Sequence, residues 1–226
     1  QLATADIVVC ISHYARESIL GRLRRDPAKT ITVAHPGGDH VPVRDPWTPQ
    51  RPVFARLGTM EARKQPVQIL DAFSDAVTQH GLAADLLFIG GPSASDEGIN
   101  RAVRRAIADG LPVRWVEGAS DDEVAELVHR ASAFLSLGTE GYGIPVLEAI
   151  RLGTPVLYDG TQPAAALMDG RGSRYIDAQS RDSLARAFVD WSEPAALDGL
   201  TAELDPASVP TWRAFAEGIA EAVTTR

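Results

Sequence analysis

Residues that build metal and disulfide sites are scarce in this sequence. Cys10 is the only cysteine among 226 residues and lies in an apolar run, which excludes a disulfide framework and a thiolate metal site and predicts a buried structural thiol. The five histidines show no metal-ligand spacing, and no Asp-x-Asp triplet occurs to hold a divalent cation. We therefore expect neither a metal ion nor another cofactor.

Excess basic charge and long hydrophobic runs are also missing. The formal net charge of -8 argues against nucleic acid as the main partner, because phosphate backbones bind basic surfaces. No apolar run approaches the roughly 20 residues that span a bilayer, and no signal peptide opens the chain, so we expect no membrane span and a cytoplasmic location. A hydrophobic content of 45% is enough for one ordinary core.

Short apolar runs alternate with stretches of helical periodicity along the chain. This pattern predicts an α/β fold with a doubly wound parallel sheet, Rossmann-like, whose strands are covered on both faces. Strands are predicted at 7–12, 30–35, 53–57, 85–89, 113–116, 133–137 and 155–158. Helices are predicted at 13–23, 64–79, 97–108, 121–131, 143–152, 181–192 and 211–224. The stretches 36–52 and 198–210 are predicted to be irregular connections, the first of them a linker.

The most informative stretch is TEGYGIPVLE, from Thr139 to Glu148. It follows a predicted strand and opens a helix, so it lies where parallel sheets bind ligands. Gly141 and Gly143 allow close approach of backbone NH groups, and the helix start adds unpaired donors, an arrangement that suits a phosphate. Glu140 and Glu148 would accept hydrogen bonds from sugar and ribose hydroxyls. Taken alone, Glu140 is better explained as a charge that favours the helix dipole and Glu148 as a solvated residue, but the two glycines at this spacing favour a site.

Two cations follow the first strand of the predicted main sheet. Arg63 and Lys64 stand at the start of the predicted helix 64–79, where they oppose the helix dipole unless an anion such as a diphosphate is bound. Lys64 is one of two lysines against twenty arginines, which suggests that a compact ammonium is needed there. Turn residues expected at the same sheet edge are Gly58, Thr59, Gly90 and Gly91. A solvated cation pair and plain turn geometry are the alternatives.

Together these motifs resemble the family 4 retaining glycosyltransferases of the GT-B fold, in which two Rossmann-like domains hold the active site between them. The specific part is the Glu-x7-Glu spacing of Glu140 and Glu148 within Glu-Gly-Tyr-Gly-Ile-Pro. Residues 5–12 resemble the last strand of that family's N-terminal domain. The motifs of the C-terminal, donor-binding half follow in order, and Trp212 is similar to the tryptophan of the closing helix.

The resemblance implies a role for each matching residue. Arg63 and Lys64 would hold the donor diphosphate, Glu140 would contact the transferred sugar, and these three are the predicted catalytic residues. The predicted donor-binding residues are Gly58, Thr59, Gly90, Gly91, Gly141, Tyr142, Gly143, Ile144, Val146 and Glu148. Neither a metal nor a protein nucleophile is implied. Many members carry arginine where this chain has Thr59, so it stays open which guanidinium reaches the phosphates.

The resemblance also implies a domain plan and partners. Residues 1–40 would be a remnant strand and helix of the acceptor domain plus linker, 41–210 the nucleotide-sugar-binding domain, and 211–226 the closing helix. We expect a UDP- or GDP-sugar donor, a glycan or lipid-linked saccharide acceptor, and an N-terminal acceptor-binding domain or partner chain. The isolated half is expected to be an incomplete enzyme that self-associates or is poorly ordered at its start. A non-catalytic partner-binding module and a nucleotide-sugar epimerase are the alternative functions.

Overall fold

The computed structural model describes residues 5–22 and 30–224, and these residues form eight strands and nine α-helices. The strands are β1 (Ile7–Cys10), β2 (Thr30–Val33), β3 (Val53–Leu57), β4 (Asp85–Ile89), β5 (Val113–Val116), β6 (Ala133–Ser136), β7 (Val156–Tyr158) and β8 (Ser173–Tyr175). The helices are α1 (His13–Leu20), α2 (Pro66–His80), α3 (Glu97–Ala108), α4 (Asp121–His129), α5 (Ile144–Arg151), α6 (Pro163–Leu167), α7 (Arg181–Asp190), α8 (Pro194–Ala202) and α9 (Trp212–Thr224).

Six strands form the main sheet in the order β5-β4-β3-β6-β7-β8, and every neighbouring pair is parallel. Successive side chains along each strand enter opposite cores: Phe54 packs with residues of α2, α3 and α7, whereas Ala55 packs with residues of α4, α5 and α6. Both faces are therefore covered, which explains why most residues of the central strands are apolar. The predicted α/β fold with a parallel sheet is confirmed.

The strand order reverses between β3 and β6, and this reversal positions the candidate site. The chain runs outward from β3 through β4 to β5, then returns to β6 on the other side of β3. A crevice opens at such a switch point beyond the carboxyl ends of the strands, where open α/β sheets bind ligands. The loop after β3 and the loop after β6 both enter this crevice, and they are the two stretches that the sequence singled out.

The first two strands form a separate parallel pair, with Ile7 opposite Thr30. Helix α9 contacts both strands of this pair, so the end of the described chain packs against its beginning. Residues 34–52 contain neither a helix nor a strand, as predicted for the linker. Cys10 is buried, as expected for a structural thiol. The predicted end of the first helix at Leu23 lies outside the described residues.

The structure corrects several predicted boundaries. The helix predicted from Lys64 begins at Pro66, after a separate 3-10 turn at Ala62–Lys64. Proline disfavours a helical conformation for the residue before it, and Gln65 is left-handed, with φ 56°, so the helix cannot extend further back. The prediction of an irregular segment from residue 198 is wrong in part, because α8 continues to Ala202. The short elements α6 and β8 were not predicted.

Candidate active site

Arg63, Lys64 and Glu140 meet at the switch point of the sheet. The Glu140 carboxylate lies 2.8 Å from Arg63 Nη1 through one oxygen and 3.0 Å from Lys64 Nζ through the other. The Lys64 side chain is 17% exposed and that of Glu140 23%, so the ammonium is largely enclosed. The loop after β3 and the loop after β6 therefore converge. The carboxylate of Glu140, from the second loop, pairs with Arg63 and Lys64, from the first.

Backbone contacts hold the two loops together. The Thr139 backbone NH donates to the Arg63 carbonyl at 3.0 Å, and Arg63 Nη1 donates to the Thr139 carbonyl at 2.9 Å. A Cβ atom at Gly138 would lie 2.0 Å from the Arg63 carbonyl oxygen, and one at Gly58 would lie 2.5 Å from Lys64 Nζ. Side chains at these two glycines would separate the loops or displace the ammonium, so the close approach depends on glycine.

The electrostatics of the cluster follow from this pairing. Burial raises the pKa of Glu140, but hydrogen bonds and charge from Arg63 and Lys64 outweigh that effect and hold the pKa below its ordinary value. Burial lowers the pKa of Arg63, yet Glu140 and Glu61 outweigh it and leave the pKa raised. Glu140 is thus a carboxylate at neutral pH, opposed by two permanent cations.

The loop ahead of α5 presents unpaired backbone donors. The NH groups of Gly141, Tyr142 and Gly143 donate no hydrogen bond within the described part of the chain. Gly143 is the N-cap of α5 with φ 103°, a conformation that L side chains rarely adopt, and Pro145 follows in the first turn. Three free donors beside a helix N-terminus suit an anionic oxygen.

The same loop is fixed from behind by the N-terminal segment. Ser12 is fully buried and donates its hydroxyl to the Gly141 carbonyl at 2.7 Å. The Tyr142 ring is buried, stacks on His35 and donates its hydroxyl to the Pro36 carbonyl at 3.1 Å. Burial raises the pKa of Tyr142 to about 12. The Tyr142 side chain therefore packs inside the protein, and only the backbone NH of this residue is available to a ligand.

Glu148 lies in the second turn of α5 and has a different partner. Its Oε1 is 2.7 Å from Nε2 of His40, and the Trp212 indole NH donates to His40 Nδ1 at 3.2 Å. Because an indole NH can only donate, Nδ1 is the acceptor, so the proton is on Nε2 and points to Glu148. Sequence reasoning missed His40, since 108 residues separate it from Glu148 and no motif joins them.

Two cavities adjoin these carboxylates. A cavity of about 30 Å³ is bordered by Lys64 and Glu140, and one of about 200 Å³ by His40 and Glu148. The larger cavity is also lined by residues of α4, namely Asp121, Val124, Ala125 and Val128. Leu57 and Pro145 border both cavities. The two cavities are therefore neighbours, and a single extended ligand could reach both.

The other predicted donor-binding residues support the loops. A Cβ atom at Gly90 would lie 2.6 Å from the Gly58 carbonyl oxygen, so Gly90 permits the turns after β3 and β4 to touch. The Met60 NH donates to the Gly91 carbonyl at 3.1 Å. Thr59 is exposed at the rim. Ile144 and Val146 are in the first turn of α5, and the buried Val146 borders the smaller cavity.

Arg56 is a charged residue of the site that sequence reasoning missed. It lies in β3, is 3% exposed, and donates through Nη1 to the Gly58 carbonyl at 2.6 Å and the Thr59 carbonyl at 3.2 Å. Burial lowers its pKa to about 10, an effect that Glu140 and Glu61 partly oppose, so the guanidinium stays charged at neutral pH. The sequence did offer a signal for it, because Arg56 is a charged residue within a predicted buried strand.

Metal-ligand clusters and membrane-spanning helices are absent from the part of the chain that the structure describes. Residues 5–22 and 30–224 contain no group of three or more His, Cys, Asp or Glu side chains arranged to hold a metal ion. None of the helices within those ranges has the length and apolar character needed to cross a bilayer.

Curated relatives of the chain include two mannosyltransferases of Escherichia coli. Serotype-specific mannosyltransferase WbdA is 25% identical over 208 residues, which cover 83% of this chain and 25% of WbdA. O-antigen chain mannosyltransferase B is 26% identical over 218 residues, which cover 88% of this chain and 56% of the relative. The chain thus spans between a quarter and somewhat more than half the length of these relatives.

Solved structures share the fold at low sequence identity. Anabaena HepE in complex with UDP and glucose is 15% identical, with a TM-score of 0.76 over 98% of this chain and 64% of HepE. The N-terminal domain of Candida albicans trehalose-6-phosphate phosphatase is 12% identical, with a TM-score of 0.76 over 97% of this chain and 58% of that one. These neighbours establish a GT-B Rossmann-like fold. Residues 43–193, well over half of the chain, match the family described as Glycosyl transferases group 1, and the chain belongs to that family.

Proposed function

We propose that this chain binds the donor in a retaining, metal-independent transfer of a hexose from a UDP- or GDP-sugar to a hydroxyl of a glycan or lipid-linked saccharide. The observation that carries the proposal is the meeting of Arg63, Lys64 and Glu140 at the switch point of the sheet. Two cations there can hold a diphosphate, and a carboxylate beside them can hold a sugar hydroxyl. The mannosyltransferase relatives and the UDP and glucose bound to HepE support the same assignment.

The diphosphate would replace Glu140 as the partner of the cations. In the free chain the Glu140 carboxylate neutralises Arg63 and Lys64, much as a phosphate oxygen would. The incoming diphosphate would take those two partners and the free NH groups of 141–143, and Glu140 would then be released to the transferred sugar. Negative charge that develops on the departing phosphate would be stabilised by donors already in place, which is the main catalytic contribution expected here.

The nucleoside would occupy the larger cavity. Glu148 would accept hydrogen bonds from the ribose hydroxyls, and His40 would keep its carboxylate oriented. Apolar side chains of α4 would pack beside the base. Because Leu57 and Pro145 border both cavities, the diphosphate could cross from the nucleoside to the cation pair without leaving the crevice.

Transfer with retention needs no protein nucleophile in this proposal. The bond from sugar C1 to the phosphate oxygen breaks, and a bond from C1 to the acceptor hydroxyl oxygen forms on the same face of the sugar. The departing phosphate takes the proton of that hydroxyl, so charge and protons balance. The chain's own contribution is to fix the diphosphate and the sugar hydroxyls.

The domain plan is part of the same proposal. Residues 1–40 would belong to the acceptor side together with the linker, 41–210 would bind the donor, and 211–226 would close the fold, residues 225–226 lying outside the described range. The separate β1–β2 pair and its contacts with α9 support this division. The Ser12 hydrogen bond to Gly141 would then link the acceptor side to the donor loop. The cytoplasmic location and the self-association stay predictions.

Titration calorimetry tests the donor assignment directly. The chain is titrated with UDP, GDP and ADP in EDTA, then with Mg²⁺ in place of EDTA, and with UMP and GMP as controls that lack one phosphate. We expect one nucleoside diphosphate to bind with the same affinity in both buffers and more tightly than its monophosphate. Silence for all three diphosphates would refute donor binding, and binding that requires Mg²⁺ would refute metal independence alone.

A further inference from the structure

Two buried donors without partners border the smaller cavity. Arg56 uses Nη1 for the Gly58 and Thr59 carbonyls, but its Nη2 has no hydrogen-bond partner among residues 5–22 and 30–224. Gln162 lies just before α6, is 3% exposed, and accepts the Ser136 hydroxyl on Oε1 at 2.8 Å, while its Nε2 has no partner in the described part of the chain. Both residues line the cavity that Lys64 and Glu140 also border.

Unpaired donors at this depth require an explanation. Buried polar groups in folded proteins are nearly always hydrogen-bonded, since an unsatisfied group loses its hydration without compensation. Arg56 is also a buried cation, and it forms no salt bridge with any residue that the structure describes. The two free donors therefore call for an acceptor, and the charge of one of them favours an electron-rich oxygen.

The size of the cavity limits what the acceptor can be. At about 30 Å³ the cavity is much smaller than its neighbour of about 200 Å³, so we expect it to take one small group of a ligand rather than a whole nucleotide sugar. The cavity is bordered by the groups assigned to the diphosphate and the transferred sugar, Lys64 and Glu140. A donor bound above it could direct one oxygen downward between Arg56 and Gln162.

We propose that Arg56 and Gln162 form an oxygen-binding subsite at the floor of the donor site, which accepts one oxygen atom of the bound nucleotide sugar. This inference rests on the proposed function. The acceptor oxygen is either a phosphate oxygen or a hydroxyl of the transferred sugar. Arg56 would also position the turn after β3, because the same guanidinium holds the Gly58 and Thr59 carbonyls.

Calorimetry on matched variants tests the subsite. Arg56→Met and Gln162→Met remove the free donors while keeping similar side-chain length, and Arg105→Ala, which removes an exposed cation of α3 that does not line this cavity, is the control. Each protein is titrated with UDP and UDP-glucose, and with GDP and GDP-mannose. We expect losses in affinity of roughly 10- to 100-fold for Arg56→Met and about 3- to 10-fold for Gln162→Met, with little change for Arg105→Ala.

The ligand pairs distinguish the two sources of the oxygen. Equal losses for the nucleoside diphosphate and the nucleotide sugar identify a phosphate oxygen, and losses confined to the nucleotide sugar identify a sugar hydroxyl. Wild-type affinity of both methionine variants for every ligand overturns the subsite and leaves the cavity to a resident water. If thermal unfolding shows that Arg56→Met does not fold, Gln162→Met decides, because Gln162 does not hold the turn after β3. A wild type that binds none of the ligands refutes the proposed function and the subsite together.

Discussion

Glu140 and Glu148 are separated by seven residues, and each side chain is 23% exposed, yet their surroundings differ. Glu140 is in a loop between two permanent cations, whereas Glu148 is in the second turn of α5 with the imidazole of His40 as its partner. Exposure alone would not distinguish them. Their partners do: the first carboxylate pairs with two cations, and the second accepts a hydrogen bond from an imidazole beside a cavity.

The largest loss of affinity should come from removing Lys64, one of the two cations that pair with Glu140. Lys64→Ala deletes the largely enclosed ammonium, and we expect the affinity for a nucleoside diphosphate, and any transfer activity, to fall by about 100- to 1000-fold. Calorimetry measures the affinity. Arg105→Ala is the matched control, because Arg105 is an exposed cation of α3 paired with Asp109. Equal affinities of Lys64→Ala and the control would contradict a diphosphate at this position.

Removing the Glu148 carboxylate should weaken contacts with the ribose rather than with the diphosphate. Glu148→Gln keeps the shape but loses the charge that would hold the ribose hydroxyls, so binding of the nucleoside diphosphate should weaken by about 10-fold or somewhat more. Inorganic pyrophosphate lacks a ribose, and its affinity should not change. Competition calorimetry with the two ligands measures both. Glu217→Gln, in an exposed pair of α9, is the control, and parallel losses for both ligands would show that Glu148 acts on the diphosphate.

Unlike the two preceding substitutions, Glu140→Gln should raise the affinity for a nucleoside diphosphate. The carboxylate competes for Arg63 and Lys64, so its neutral counterpart should let a nucleoside diphosphate bind about 3- to 10-fold more tightly. The corresponding nucleotide sugar should gain less, because a charged acceptor for a sugar hydroxyl is lost. Titration of both ligands into the wild type and the variant gives the two ratios. A weaker diphosphate affinity in Glu140→Gln would contradict the idea that Glu140 occupies the phosphate position.

Much of this arrangement was predictable because it follows from strand order. Residues at the carboxyl ends of adjacent parallel strands meet at one edge, so the motifs after β3 and β6 had to converge once the sheet was assigned. Short runs rich in apolar residues predicted β3, β4 and β5 with the bounds observed. The edge strand Ser173–Tyr175 has only three residues with an arginine in the middle, and α6 has only five residues. Both are too short to show the hydrophobic periodicity from which strands and helices are predicted.

The residues that sequence reasoning missed are those whose roles depend on packing between distant segments. His40 reaches Glu148 only because the linker runs along α5, where the Arg151 side chain also donates to the Val41 carbonyl, and nothing in the local pattern indicates that contact. The same holds for Gln162, whose burial beside Ser136 depends on how α6 packs. Arg56 differs, because a charge inside an apolar strand is visible in the sequence and indicates a buried polar site.

The smallest expected effect is a change in folding stability with pH. It reports on the pairing of Glu140 with Arg63 and Lys64. The pKa of Glu140 in the folded chain is below its ordinary value, so the pairing stabilises the fold fully above the unfolded-state pKa and is lost as pH falls through the lowered value. The wild type should therefore unfold at higher urea than Glu140→Gln at pH 7, and the two midpoints should converge as the pH falls through the lowered pKa of Glu140. All other carboxylates are common to both proteins, so the difference between the curves reports Glu140 alone. Midpoints that stay equally far apart from pH 7 to pH 3 would mean that the three charges do not stabilise one another in solution.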